Sequence, residues 1–129
     1  PATPSMTILL ADDNVDAAWA LSKLLQREGH RSLVAAGGRE ALQLAQTPGL
    51  DGAILDIGMP DLDGVEVARL VRSSPWGHRL WLIALTGWGG LENRRVLLQH
   101  GFDEHLIKPV DMAALNEVIR SLGRRHEPA

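Results

Sequence analysis

The chain contains no cysteine, so disulfides are excluded and nothing points to secretion. It has no apolar run near the roughly 20 residues that span a bilayer. The opening Pro1-Ala2-Thr3-Pro4-Ser5 does not read as a signal peptide, and a cytoplasmic location is the resulting expectation. Charge of one sign is not in large excess either. The formal net charge is -3, with acidic and basic residues mixed along the chain. Arg124-Arg125 is the one basic cluster and is too short for a nucleic-acid footprint. Neither nucleic acid nor membrane is therefore expected as a direct partner.

What is present suits one soluble domain. The 129 residues, 45% of them hydrophobic, can bury a core without metal or disulfide staples. Pro1 is not an initiator methionine, so the chain reads equally as a processed start or as a cut end within a longer protein.

Short apolar runs alternate with amphipathic stretches. Strands are predicted at Thr7–Ala11, Arg31–Ala35, Gly52–Asp56, Leu80–Leu85 and Glu104–Ile107. Helices are predicted over about Val15–Glu28, Gly38–Gln46, Asp63–Arg72, Leu91–His100 and Met112–Leu122. In the first helix Ala17, Leu21, Leu24 and Leu25 share a face, and Gly29 is the expected C-cap residue. In the last, Leu115, Val118, Ile119 and Leu122 recur at offsets of three, four and seven, and Gly123 closes it before a tail.

This alternation argues for an α/β fold with a doubly wound, five-stranded parallel sheet. Strands one, three and four are almost wholly apolar, as expected of strands covered on both faces. Strands two and five carry Arg31-Ser32 and Glu104-His105 and read as edges. The order 2-1-3-4-5, flavodoxin-like, follows.

In such a sheet, ligands bind beyond the carboxyl ends of the strands. Those ends carry Asp12-Asp13, Asp56, Thr86 and Lys108. Three carboxylates on one rim repel one another and call for a hard cation, with Mg²⁺ the natural choice. A lysine and a hydroxyl suit the equatorial oxygens of a phosphoryl group, and an aspartate can itself be the nucleophile. Each piece alone has a plainer reading. Asp12-Asp13 could cap a helix, Asp56 could end a strand, Thr86 could serve a turn, and Lys108 could be a solvated lysine. Their conjunction on one rim favours metal-assisted phosphoryl transfer.

Over about Thr7 to Leu122 the chain resembles the receiver domain of two-component response regulators. The matching segments are Ile8-Leu9-Leu10-Ala11-Asp12-Asp13-Asn14, Leu55-Asp56-Ile57-Gly58-Met59-Pro60-Asp61-Leu62-Asp63-Gly64, Ala84-Leu85-Thr86-Gly87 and Leu106-Ile107-Lys108-Pro109. The resemblance implies a phosphoacceptor at Asp56, fed by the phosphohistidine of a histidine kinase or histidine phosphotransfer domain. It implies Mg²⁺ on Asp13, Asp56 and the Gly58 carbonyl, with Asp12 acting mainly through water. Lys108 would pair with Asp56 and then with the phosphoryl group, Thr86 would move to bond it, and the Lys108-Pro109 peptide would be cis. Such a unit phosphorylates itself and dephosphorylates slowly; it is not a conventional turnover enzyme. Its output would be the surface of the fourth helix, fifth strand and fifth helix, with homodimerisation on phosphorylation as an option.

Two positions depart from the family pattern. His105 stands where a rotating Tyr or Phe is common and offers a pH-sensitive switch; an edge-strand histidine is the plainer reading. Trp88, two residues beyond Thr86 and opposite the small Gly58, could alter the lifetime of the aspartyl phosphate or simply cover Leu91. A pseudo-receiver that binds proteins without phosphotransfer is the main rival, and the complete Asp12, Asp13, Asp56, Thr86 and Lys108 set argues against it. A flavin-binding protein would want a hydroxyl- and glycine-rich loop in place of Asp12-Asp13. A haloacid-dehalogenase-type phosphatase would want an aspartate in place of Gly58. The domain is expected over residues 7–122, with 1–6 an extension or linker and 123–129 a tail. No output module is visible in this sequence, which suits a stand-alone regulator, a hybrid-kinase domain or part of a larger regulator.

Overall fold

The strands alternate side chains between faces, and here both faces are apolar. The computed structural model describes residues 5–87 and 91–125. Its elements are β1 (Thr7–Ala11), α1 (Val15–Arg27), β2 (Arg31–Ala35), α2 (Gly38–Leu44), β3 (Gly52–Asp56), α3 (Gly64–Ser73), β4 (Trp81–Thr86), α4 (Leu91–Gln99), β5 (Glu104–Ile107) and α5 (Met112–Arg125). All neighbouring strands pair in parallel, in the order β2-β1-β3-β4-β5. The doubly wound order expected from strand polarity is therefore the one adopted.

Leu9, Ala53, Leu55, Leu82 and Ala84 point to one side of the sheet, where Ala41 of α2, Val67, Ala68 and Val71 of α3 and Leu97 of α4 cover them. Ile8, Leu10, Ile54, Ile83 and Leu85 point to the other, beneath Leu21 and Leu25 of α1 and Leu115, Val118, Ile119 and Leu122 of α5. This period of two explains why the central strands read as continuous apolar runs. None of the helices, among the described residues, is long and apolar enough to cross a membrane.

Several element edges differ from expectation. α1 buries Ala18, Leu21, Ser22 and Leu25, while Ala17 is exposed and Leu24 only half-buried. The stripe is shifted because Ser22, whose polar hydroxyl hides it in an apolar pattern, turns inward and meets the Ser32 hydroxyl of β2. α5 does not stop at Gly123 but continues to Arg125, and Gly123 is buried. The intrinsic cost of glycine in a helix is about 1 kcal/mol, less than the burial of the adjoining Leu122 returns. Met6, ahead of β1, is also buried, its N–H donating to His30 Nδ1 at 3.0 Å. Gly29 does follow α1 as expected, with a φ of +89° that a side chain would strain.

Leu122 is fully buried beneath the sheet, so Leu122→Ala should cost about 2–5 kcal/mol, read as a lowered urea midpoint. A loss under half a kcal/mol would mean that the end of α5 adds little to the core.

Candidate functional site

Because the strands are parallel and in register, their carboxyl ends form one rim. Asp56 pairs with Leu85, and Thr86 with Ile107. The Lys108 N–H donates to the Thr86 carbonyl at 2.7 Å, which carries the β5 end alongside β4. Lys108-Pro109 is a cis peptide, as the sequence resemblance implied.

On this rim the expected side chains converge. Lys108 Nζ stands 2.9 Å from Asp56 Oδ2 and 3.7 Å from Asp12 Oδ2. Carboxylate oxygens of Asp12, Asp13 and Asp56 all lie within 4.8 Å of one another. Asp12 and Asp56 are buried at 3% and 5% exposure, Thr86 is buried, and Asp13 is exposed. A cavity of about 570 Å³ opens over them, lined by Asp13, Asp56, Gly58, Thr86, Gly87 and Lys108, with Val65 and Leu97 behind.

The capping alternative for the aspartate pair is answered by Asn14. Its side chain, not that of Asp12 or Asp13, caps α1 by accepting from the Ala17 N–H at 3.2 Å. Asp12 Oδ1 in turn accepts from the Asn14 N–H at 2.9 Å, which turns its carboxyl group toward the rim. Gly58 donates its N–H to Asp56 Oδ1 at 3.0 Å. Gly64 lets α3 begin against the strand end: a β-carbon there would stand 2.5 Å from the Asp56 carbonyl oxygen.

The crowding has electrostatic consequences. Burial, then the hydrogen bond and charge of Asp56, push the Asp12 carboxyl up to about 6. Burial also works against ionisation of Asp56, but hydrogen bonds from Asp12, the Gly58 N–H and Lys108 outweigh it and hold Asp56 below the ordinary carboxylate range. Lys108 is raised despite partial burial, by its bond to Asp56 and the nearby charges of Asp12 and Asp13. The rim thus gathers three carboxyl groups against one ammonium. An all-oxygen set with that excess of negative charge fits a hard divalent cation.

His105 is half-buried on β5, an edge strand of the sheet, and pairs in register with Ala84, so it shares the sheet face on which Leu97 of α4 packs. Trp88 lies outside the described residues, as do residues 126–129 of the expected tail. The sequence did not point to Asp61, whose carboxylate accepts from the Gly38 and Arg39 amides. The available signal was the Gly37-Gly38 pair, which leaves α2 without a capping side chain of its own.

With fold and rim together, the class is that of a three-layered α/β/α domain with an acidic, lysine-bearing rim at the carboxyl end of its parallel sheet. The family model described as the response regulator receiver domain matches residues 8–120, and the chain belongs to that family. It is 36% identical over 124 residues to the transcriptional regulatory protein AfsQ1 of Streptomyces coelicolor, covering 96% of this chain and 53% of that protein. The chain thus spans about half the length of that regulator. Among solved structures it resembles the receiver domain of sensor histidine kinase PA1611 from Pseudomonas aeruginosa, described with a magnesium ion in its active-site cleft. That match has 29% identity and a TM-score of 0.83, covering 94% of this chain and 99% of the other. It also resembles the receiver domain of the response regulator Ssk1 in its co-crystal with the histidine phosphotransfer protein Ypd1 of Saccharomyces cerevisiae. There the identity is 25%, the TM-score 0.86, and the coverage 96% of this chain and 92% of the other.

Proposed function

We propose that Asp56 is the phosphoacceptor of this receiver domain, supplied by a histidine kinase or histidine phosphotransfer protein in the cytoplasm. The carrying observation is the 2.9 Å contact of Lys108 Nζ with the buried Asp56 Oδ2 in a cluster of three aspartates. Mg²⁺ is the fitting cation, held by Asp13, Asp56 and the Gly58 carbonyl, with Asp12 acting through water; when bound it neutralises charge between acceptor and phosphoryl oxygens.

Asp56, kept ionised by its donors, attacks phosphorus in line with the donor imidazole. The new bond is Asp56 Oδ–P; the bond broken is N–P, its electron pair returning to a ring that leaves as neutral imidazole, the proton already on its other nitrogen. Lys108 follows the charge from the carboxylate to the phosphoryl oxygens, and Thr86 supplies a hydroxyl to one of them. The donor would dock beside the rim, where an apolar cleft of about 450 Å³ lies between α1 and the start of α5, lined by Ala17, Leu21, Pro109 and Val110. Val15 and Trp19 stand exposed on the same helix.

A phosphoryl group at Asp56 offers the Thr86 hydroxyl a charged acceptor that an unmodified carboxylate does not place there, and this differential contact is what a two-state switch requires. The response reaches α4, β5 and α5, with His105 at the switch position between them and homodimerisation across that face as one readout. The functional unit is residues 7–122.

The test is label uptake from a phosphorylated histidine phosphotransfer protein. We expect a hydroxylamine-sensitive acyl phosphate that forms with Mg²⁺ and falls at least about a hundredfold in excess chelator. Equal uptake with chelator would remove the metal from the reading. No uptake from any phosphohistidine or small phosphodonor would favour a phosphorylation-independent pseudo-receiver.

A further inference from the structure

Asp61 takes no part in the chemistry above. It lies exposed in the β3–α3 loop, three residues beyond Gly58, yet its carboxylate reaches back to the start of α2. Oδ1 accepts from the Gly38 N–H at 2.9 Å and Oδ2 from the Arg39 N–H at 3.1 Å. These are amides a helix leaves without partners in its own first turn. The residue at the N-cap position, Gly37, makes no side-chain cap. The loop therefore caps a helix that cannot cap itself.

The two glycines also allow the approach. A β-carbon on Gly37 would stand 2.9 Å from either Asp61 carboxylate oxygen, and one on Gly38 would stand 1.8 Å from the Leu62 carbonyl oxygen. The bonds from Gly38 and Arg39 hold the Asp61 carboxyl below its ordinary range, so it is a charged acceptor at neutral pH. The same loop is fastened at its start by the Gly58 N–H on Asp56 Oδ1, and at its end by the Gly64 N–H on the Ile57 carbonyl at 3.2 Å. Asp63 caps α3 through the Glu66 N–H at 2.8 Å. Asp61 supplies the tie in the middle, to a different helix.

We infer that Asp61 is a positioning residue for the metal pocket: by bonding the loop to the start of α2 it holds Gly58 beside Asp56. The inference rests on the proposed reading of Gly58 and Asp56 as oxygen donors. Mg²⁺ demands near-ideal octahedral geometry, so slack in the backbone that carries one donor is felt in affinity.

The test compares Asp61→Ala and Asp61→Asn with the parent, using Mg²⁺ calorimetry and amide hydrogen exchange of the metal-free protein. Asp61→Ala should weaken Mg²⁺ binding about three- to tenfold and speed exchange at Gly58 as well as at Gly38 and Arg39. Asp61→Asn, which keeps an acceptor oxygen for one of the two amides, should recover part of both effects. Gly37→Ala crowds the same carboxylate and should shift affinity in the same direction, a second reading if Asp61→Ala folds poorly. Faster exchange confined to Gly38 and Arg39, with unchanged Mg²⁺ affinity, would overturn the inference and leave Asp61 as a helix cap. Asp13→Asn separates the two ideas: if it loses Mg²⁺ while Asp61→Ala does not, the site reading stands and the positioning role falls. A parent protein that binds no Mg²⁺ would sink both.

Discussion

Asp56→Asn should fold like the parent and take up no detectable phosphoryl group. The fold survives because the amide has the shape of the carboxylate at a position only 5% exposed, so no cavity or overpacking results. Two of its neighbours there are donors, the Gly58 N–H and the Lys108 ammonium. The amide oxygen can accept from one of them, while the NH₂ group can turn to the Asp12 carboxylate. Transfer fails because an amide is a poor nucleophile and because Lys108 loses the charge that holds it in place. The loss should exceed about a thousandfold, beyond what a disturbed metal alone produces. Far-UV circular dichroism checks the fold, and label from a small phosphodonor checks the chemistry. Asp13 is exposed in the same cavity and is the obvious substitute acceptor. Retained label in Asp56→Asn, mapped to Asp13 or elsewhere, would overturn the assignment.

The rim was legible before the fold because a parallel sheet has only one carboxyl end. Once the strands at Thr7–Ala11, Gly52–Asp56, Leu80–Leu85 and Glu104–Ile107 are located, the residues that end or follow them must meet, whatever the detail of the helices. Edge polarity at Arg31 and Glu104 then set the order. What stayed hidden were contacts made between elements by groups whose local pattern has another meaning. Ser22 looks like a solvent residue until Ser32 stands opposite it. Gly123 looks like a stop until the packing around Leu122 outweighs its propensity. Asp61 looks like a turn residue until α2 brings two free amides to it. Arg72 gives no sequence signal, yet its guanidinium joins the Gly77, Leu80 and Gly101 carbonyls and pairs with Asp103 at 2.7 Å. That arginine ties the far end of the sheet together, opposite the rim. Each of these depends on spacing in three dimensions that no periodicity encodes.

The same rim predicts that one substitution improves stability while harming function. In the metal-free protein, Asp12→Asn should stabilise the fold by about 1–2 kcal/mol at pH 7.5. The Asp12 carboxyl is raised from 3.8 to about 6 in the native state, so the native protein binds a proton more tightly than the unfolded chain. Stability from this group is therefore fully present below 3.8 and is lost as pH rises through about 6. At 1.36 kcal/mol per pKa unit the loss is bounded near about 3 kcal/mol. Asparagine forfeits part of that gain, because it weakens the bond from the Asn14 N–H and the attraction to Lys108. Urea midpoints in chelator should place the variant above the parent at pH 7.5, with the gap closing toward pH 4.5. Mg²⁺ should reverse the order by raising the parent, since the ion replaces the missing positive charge, whereas the variant should bind it about tenfold more weakly. In the parent, Mg²⁺ affinity should fall as pH drops below about 6, because Asp12 must give up its proton for the pocket to carry its full charge. A parent as stable as Asp12→Asn at pH 7.5 without metal would mean that the three carboxylates do not strain one another, and the electrostatic case for a cation would be lost.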